Sequence, residues 1–525
     1  MKVLVADKLA KEGVEKLKSA GLSVDVITGQ TEEQLVAIIV NYDAMIVRSE
    51  TKVTSAIIDA AANLKIIARA GVGVDNVNLD AATKKGIIVV NSPEGNTIAA
   101  AELSFAMMLS MARNIPQAVA SLKSGKWDRG KFMGSELYDK VLGIVGLGKI
   151  GSHVASYAQS LGMRVIAHDP FVNEEYAKKL GVEVKDLDAL LKSADYITFH
   201  IPKTKETQKL INKDKFALMK DGVRLINCAR GGIIDENALL DALKSGKVKA
   251  AAIDVFEKEP AADNPLIKLE NVIATPHLGA STLEAQVNVA VDVVDQIIDV
   301  FKGESARAAV NIPSMRPDVL APVKPFLKLA EKLGKFAAQI IDGAIEEVEI
   351  SYLGELSGNN VAPLTVSVLK GLLEPALAEA VNLVNAAVIA KDRGIKIKEI
   401  KSADTEDFSN LISVKVISKG KERVAAGCVQ GSFGERLVRI DDFRTDVVPS
   451  GYMIITSHTD KPGIIGSVGT LLGDNKVNIA SMDVGRQSIG GKAVMVLNID
   501  NAVSEDLLKK MEKISGITEA RLVKI

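Results

Sequence analysis

The sequence predicts an α/β protein: two parallel-sheet domains in the amino-terminal part, then an α+β domain and a small ferredoxin-like unit. Three observations carry this. Short apolar runs alternate with amphipathic helical stretches up to residue 301, as in parallel sheets covered by helices. Asn311-Ile312-Pro313 with Pro317, Pro322 and Pro325 then marks a boundary. Residues 452–525 read strand, helix, strand, strand, helix, strand, which is the βαββαβ order. A chain of 525 residues has room for three or four such domains.

In residues 1–95, Val3–Ala6, Val24–Ile27, Ala44–Val47, Lys65–Ala68 and Ile87–Val90 read as buried strands. Helical patterns such as Lys8–Ala20 and Thr54–Asn63 lie between them, and Gly21 and Gly86 stand where helices should stop. Asn96–Arg113 reads as a long, apolar, buried helix. A second series follows, with strands at Val141–Val145, Arg164–Ala167, Tyr196–Phe199, Arg224–Asn227, Ala251–Val255 and Val272–Ala274, then a helix over Leu283–Phe301. Residues 317–450 predict two long helices, Pro325–Ile341 and Leu364–Lys391, followed by four strands. Of these, 409–418 and 422–430 form a hairpin through Lys419-Gly420. A second hairpin is expected at Gly490-Gly491.

Composition narrows the function. Hydrophobic residues are 47% and charged residues 25%, which suits a folded core and excludes disorder as the main state. The net charge of −1 argues against bulk attraction to nucleic acid or anionic membrane, and 4% aromatics leave few stacking platforms for single strands. Cys228 and Cys428 are far apart and belong to no paired motif, so neither a disulfide framework nor a metal site is expected. Charge follows Met1 too soon for a signal peptide, and no charge-free apolar run spans a bilayer; the expected location is cytoplasmic.

The strongest local signal is Leu142-Gly143-Ile144-Val145-Gly146-Leu147-Gly148-Lys149-Ile150-Gly151. An apolar strand enters Gly-x-Gly-x-x-Gly and a helical pattern leaves it. Gly146 permits the turn, Gly148 admits a pyrophosphate, and Gly151 lets helix and strand pack. The helix amino terminus offers free N–H groups to the phosphates. Asp169 ends the next strand, where an acid takes the ribose hydroxyls. It would repel a 2′-phosphate, and Pro170-Phe171-Val172 supplies no cation, so NAD is expected over NADP. This second domain therefore reads as Rossmann-like.

Oxidising an alcohol also requires a base for its proton and a cation for an anionic substrate. Of five histidines, His200 and His277 sit at strand ends, where open α/β sheets bind ligands. His153 follows the glycine loop, His168 precedes Asp169, and His458 lies in the last block. Arg230, Asp254 and Glu259 also follow strands. A surface ion pair for Arg230, a solvated loop acid for Glu259 and a satisfied loop histidine are the plain alternatives. Gathered around one NAD site, the three read better as machinery.

Here a family becomes visible. Arg69-Ala70-Gly71-Val72-Gly73-Val74-Asp75-Asn76, Gly146–Gly151, Asn227-Cys228-Ala229-Arg230-Gly231-Gly232, Asp254-Val255-Phe256-Glu257-Lys258-Glu259-Pro260 and Pro276-His277-Leu278-Gly279-Ala280-Ser281-Thr282 resemble the D-isomer-specific 2-hydroxyacid dehydrogenases. The resemblance spans the whole chain. It is to the long form that acts on D-3-phosphoglycerate and opens L-serine synthesis, with an intervening domain at 317–450 and an ACT domain at 452–525. It implies a discontinuous substrate domain, 1–95 with 285–315, around an NAD domain at 96–284. It implies that His277 takes the C2 hydroxyl proton, Glu259 orients it, and Arg230 holds the carboxylate. Val72, Lys149, Ile150, Ile201, Cys228, Ala229, Leu278, Gly279 and Ala280 would line the cofactor, with Asp254 meeting the nicotinamide amide. Arg48, Ser49 and Arg69 match the phosphate pocket. Arg129 and Lys131 match a segment contributed by the neighbouring subunit of a homotetramer. Asp460 and Asn478, with His458 beside them, match an L-serine effector site between paired ACT units. The alternatives are a dehydrogenase for an unphosphorylated 2-hydroxy acid, which would not need the basic cluster, and an NAD-sensing binding protein, which would not need a base.

Overall fold

The computed structural model describes residues 1–313, 317–377, 381–405 and 408–525. Residues 314–316 of the proline-rich boundary and 378–380 of the expected helix Leu364–Lys391 lie outside the described residues.

Strands β1 (Lys2–Val5), β2 (Ser23–Val26), β3 (Ala44–Val47), β4 (Ile66–Arg69) and β5 (Ile88–Asn91) pair in parallel in the order β2-β1-β3-β4-β5. Each lies within one residue of its apolar run. Helix Leu283–Phe301 returns to this sheet and buries Val289, Val293 and Ile297, one face at helical spacing, against it. The following segment is stitched to β5: Val310 N–H donates to Val89 O, and the Asn311 side chain bonds Val89 N–H and Ile87 O.

The second sheet contains β6 (Val141–Val145), β7 (Arg164–His168), β8 (Glu183–Val184), β9 (Tyr196–Phe199), β10 (Val223–Asn227), β11 (Val248–Ile253) and β12 (Val272–Ala274). Its order is β12-β11-β10-β9-β6-β7-β8, so the direction of winding reverses between β6 and β9, where open sheets form a ligand crevice. β8 has two residues and no apolar run, which is why the pattern missed it. Helix Thr97–Ala112 packs beside this sheet with Met107, Met108 and Met111 in its core.

The third sheet differs most from expectation. It holds β13 (Glu347–Gly354), β14 (Lys396–Ser402), β15 (Asn410–Ser418), β16 (Lys421–Gln430), β17 (Gly434–Ile440) and β18 (Phe443–Val447), in the order β14-β13-β15-β16-β17-β18. Five strands rather than four follow the helices, and β13 lies between them. Its strict alternation, Glu347-Val348-Glu349-Ile350-Ser351-Tyr352, which the structure turns into buried and half-buried faces, was the overlooked signal. The expected helix Leu364–Lys391 is two, Ala362–Leu377 and Ala386–Asp392. Asn382 and Asn385 take backbone N–H groups with their side chains between them, a local competition that ends helices. Lys419 and Gly420 both have positive φ (48° and 74°), as the tight hairpin requires.

The last sheet is β19 (Tyr452–Thr459), β20 (Ile479–Arg486), β21 (Lys492–Ile499) and β22 (Ile517–Lys524), in the order β20-β21-β19-β22. Helices Ile464–Asp474 and Glu505–Glu512 cover one face. On the other face Met453, Ile455, Val494, Val496 and Val523 enter the core of the preceding domain. The two final domains thus share a hydrophobic interior. β18 also meets β20: a Cβ on Gly485 would fall 2.2 Å from Arg444 O, and Asp446 N–H donates to Asp483. β18 thus covers the β20 edge there. The pair meets the first domain where Asn382 Nδ2 donates to Gly86 O at 2.8 Å and helix Ala386–Asp392 lies against helix Leu79–Lys84.

Candidate active site

The glycine loop leaves β6 with Gly146 at φ 97°, against the backbone of His200. A Cβ on Gly151 would sit 2.1 Å from Gly146 O, so only glycine closes the helix onto the turn. A Cβ on Gly148 would meet nothing within 4 Å, which leaves open space before helix Lys149–Ser160. That helix has no side-chain cap, so its first N–H groups face this space. Asp169, just after β7, accepts Leu147 N–H (2.9 Å) and Phe171 N–H (2.9 Å). A carboxylate has about four acceptor positions, so capacity remains for hydroxyl donors. Lys149 pairs with Glu94. Gly148, Lys149, Ile150 and His200 line a cleft of about 1330 Å³ whose other wall is Asn91, Pro93 and Arg307 of the first domain. Val72 O accepts from Asn91, and Ile201 touches the glycine turn. Burial pushes the His200 ring down to about 4, so it stays neutral, bonded to Thr198. His168 bonds Lys185 O.

His277 follows β12 with φ 57°, in a turn built by Asp254. The Asp254 carboxylate is fully buried and accepts Thr275 Oγ1–H (2.6 Å), Leu278 N–H (2.7 Å) and Gly279 N–H (2.9 Å). Burial pushes this carboxyl up, against those hydrogen bonds. His277 Nδ1 lies 2.8 Å from Glu259 Oε2, so Nε2 is the nitrogen left to exchange a proton. Burial would raise the Glu259 carboxyl, but the bonds from His277 and Phe256 N–H, with the charges of His277 and Arg230, hold it below its usual range.

Arg230 sits in the loop after β10, which Asn227 shapes by bonding Ala229 N–H and Arg230 O. Its Nε is 3.3 Å from Asp75 Oδ2, and Gly73 lies so close that a Cβ there would be 2.2 Å from Nη2. Arg69 ends β4, over Gly71, and Arg48 follows β3; the Nε of each is buried without a hydrogen-bond partner. Burial, then the charges of Arg230 and Arg48, push Arg69 down to about 10. Three guanidiniums therefore converge from three strand ends, with Asp75 and Asp7 offsetting only part of their mutual repulsion. Ser49 beside them is exposed. Cys228 is buried against Met107, and burial pushes its thiol up to about 12, so it is no nucleophile.

Other candidates lie elsewhere in the chain. Arg129 and Lys131 are exposed on the turn Arg129–Phe132, with Lys131 3.9 Å from Glu270, before the start of β12 and at the opposite end from His277. One chain does not bring them to its own cation cluster. Asp460, after β19, accepts Arg486 Nη1–H (2.9 Å) and Gly490 N–H, and the Arg486 bond holds its carboxyl low. Asn478, before β20, donates to Asp500. β19 and β20 run the same way on either side of β21, so Asp460 and Asn478 stand at opposite ends of the sheet. His458 is buried, which lowers its ring. Sequence reasoning missed Asp7, whose signal was a carboxylate placed directly after an apolar strand.

Family models match the D-isomer specific 2-hydroxyacid dehydrogenase NAD binding domain at 105–279, the D-3-phosphoglycerate dehydrogenase intervening domain at 322–441 and the ACT domain at 452–516. A D-3-phosphoglycerate dehydrogenase of Synechocystis is 50% identical over 525 residues, covering 100% of this chain and 95% of the relative. The chain belongs to the D-3-phosphoglycerate dehydrogenase family. An Archaeoglobus fulgidus relative of the same name is 49% identical, with 100% of both chains covered. Among solved structures of the wider 2-hydroxyacid dehydrogenase fold, D-lactate dehydrogenase from Aquifex aeolicus, complexed with NAD and lactic acid, matches at TM-score 0.53 and 31% identity. That match covers 58% of this chain and 96% of the other. The resemblance read from the motifs, and the fold class with it, are borne out.

Proposed function

We infer that the protein catalyses NAD-dependent oxidation of D-3-phosphoglycerate to 3-phosphohydroxypyruvate, the entry to L-serine synthesis. The observation that carries the substrate is the cluster Arg48, Arg69 and Arg230, in which the Nε atoms of Arg48 and Arg69 are buried without a partner, beside the His277–Glu259 pair. A substrate with a carboxylate at one end and a phosphate at the other answers both ends of that cluster. The cradle of Gly146, Gly148 and Gly151, the uncapped helix behind it and Asp169 fit NAD. NAD held there supplies the acceptor for the hydride leaving C2.

The chain's own residues do the rest. Arg230 grips the carboxylate and polarises the C2 oxygen. His277 Nε2 takes the C2 hydroxyl proton as the C2–H bond breaks. Glu259, ionised and bonded to Nδ1, fixes the tautomer and stabilises the imidazolium that forms. Asp254 holds the turn that presents His277. Arg48 and Arg69, with Ser49, receive the phosphate. Arg129 and Lys131, remote in their own chain, act on a neighbour's site in a homotetramer; Trp127 (78% exposed) and Met133 (85% exposed) flank them as apolar surface suited to burial there. L-serine binds between ACT units, where Asp460 of one approaches Asn478 of another, and slows turnover. The enzyme works in the reducing cytoplasm, as its two buried free cysteines suit.

The test is NADH fluorescence on adding NAD with D-3-phosphoglycerate, then with unphosphorylated D-2-hydroxy acids. Turnover confined to the phosphorylated acid is expected. Equal or better turnover of D-lactate or D-2-hydroxyglutarate would overturn the substrate assignment, and no turnover of any acid would favour a binding protein.

A further inference from the structure

We propose that Asp7 and Asn76 clamp the loop carrying Arg48 and so set the spacing of the cations that select a phosphorylated substrate. The proposal rests on the function inferred above and deepens it.

Asp7 follows β1 and is only 2% exposed. What its carboxylate binds is the loop after β3: Oδ2 accepts Arg48 N–H (2.6 Å) and Thr51 N–H (3.2 Å), and Oδ1 accepts the Thr51 hydroxyl (2.5 Å). Asn76 grips the same loop from its carbonyls, donating to Arg48 O and Thr51 O, both at 2.6 Å. The loop is thus held by its N–H groups on one side and its C=O groups on the other. A buried carboxylate directed at backbone is a costly way to shape a surface turn, since an exposed Asn or Ser would serve.

Repulsion explains it. Arg48 and Arg69 face each other with buried, unpartnered Nε atoms, and a long side chain at a strand end would otherwise swing into water. The same short loop that supplies Asn76 also carries Gly71 beneath Arg69, Gly73 against Arg230, and Asp75 paired to Arg230. Residues 71–76 therefore touch all three cation-bearing segments. With Asn76 tying the Arg48 loop to this segment and Asp7 tying the same loop to the end of β1, the distance between the carboxylate end and the phosphate end of the pocket is fixed before substrate arrives. Such preorganisation spares the substrate the cost of ordering its own pocket, so misplaced cations lose affinity for it. Asp7 does not touch substrate; it is a positioning residue.

Asp7→Ala and Thr51→Val separate this role from general support of the fold. The readouts are KM and kcat for D-3-phosphoglycerate, the competitive inhibition constant of inorganic phosphate, and NADH affinity by fluorescence titration. In Asp7→Ala, KM and the phosphate inhibition constant should rise together, roughly 10–100-fold, while kcat and NADH affinity stay within a few-fold. Thr51→Val, which removes one hydroxyl and no volume, should move both constants the same way by less. An unchanged phosphate constant in either variant overturns the clamp, as does a parallel fall in kcat and NADH affinity. If Asp7→Ala does not fold, Thr51→Val decides alone. Wild type that neither oxidises D-3-phosphoglycerate nor is inhibited by phosphate would sink the substrate reading and the clamp with it. Wild type inhibited by phosphate, with variants matching it, would sink the clamp only.

Discussion

Replacing Arg69 with Met should make the substrate-free protein more stable and the enzyme worse. Arg69 is mostly buried, and burial followed by repulsion from Arg230 and Arg48 pushes its guanidinium down to about 10, with Asp75 and Asp7 offsetting part of this. Relative to an unperturbed arginine, that shift disfavours the charged form by roughly 3 kcal/mol. The sign follows from the direction. A basic group lowered on folding is penalised wherever it is charged in both states, so the penalty is fully present below pH 10. It is relieved only as pH rises through about 10. Near pH 7 to 8, Met fills similar length, keeps the stem packed and removes the penalty. For a domain of this size, a gain of up to ~3 kcal/mol raises the unfolding midpoint by on the order of 5–10 °C. The same change removes a charge-assisted phosphate contact, so kcat/KM for D-3-phosphoglycerate should fall about 10²-fold. Calorimetric melting with and without inorganic phosphate is the assay: phosphate should stabilise wild type strongly and Arg69→Met little. A variant that melts below wild type without ligand, or that keeps its kcat/KM, would refute the reasoning that the cluster is strained for want of an anion.

Three further outcomes are expected. His277→Ala should lower turnover about 10²–10⁴-fold while NADH titration shows unchanged cofactor affinity; near-normal turnover would remove His277 from the mechanism. Gly151→Ala places a Cβ 2.1 Å from Gly146 O, so calorimetry should find NAD affinity reduced at least ~10-fold; wild-type affinity would show that the glycine turn is not the cofactor cradle. Asp460→Ala frees Arg486 and removes the carboxylate offered to the serine ammonium, so serine titrations should shift to higher concentration with basal kcat retained; an unshifted titration would place the effector elsewhere.

Much of this architecture was legible because its causes are local. Strand β3, strand β6 and helix Leu283–Phe301 were read to the residue from apolar runs and period. The glycine triplet was legible because a turn and a close backbone approach each demand a missing Cβ. The third sheet was read poorly. β13 alternates in period two between the two stretches that looked helical, and before Ala386 the side chains of Asn382 and Asn385 take backbone N–H groups that a continuous helix would use.

What the sequence by itself determined was the set of strands and helices, the dinucleotide turn and the identity of the charged residues at strand ends. These depend on periodicity and turn chemistry over a few residues. Only the tertiary structure decided which charges meet. Arg48 and Asp7 are 41 positions apart, and strand order with parallel register joins them. It also decided that Arg129 and Lys131 stand at the far end of β12, that Asp460 and Asn478 part to opposite ends of their sheet, and that the last two domains share one core. The physical reason is that burial and Coulomb repulsion act between groups close in space, whatever their separation along the chain, so strain such as that on Arg69 comes into being only when the fold buries it, the first sheet sets Arg48 beside it and the second sheet brings up Arg230.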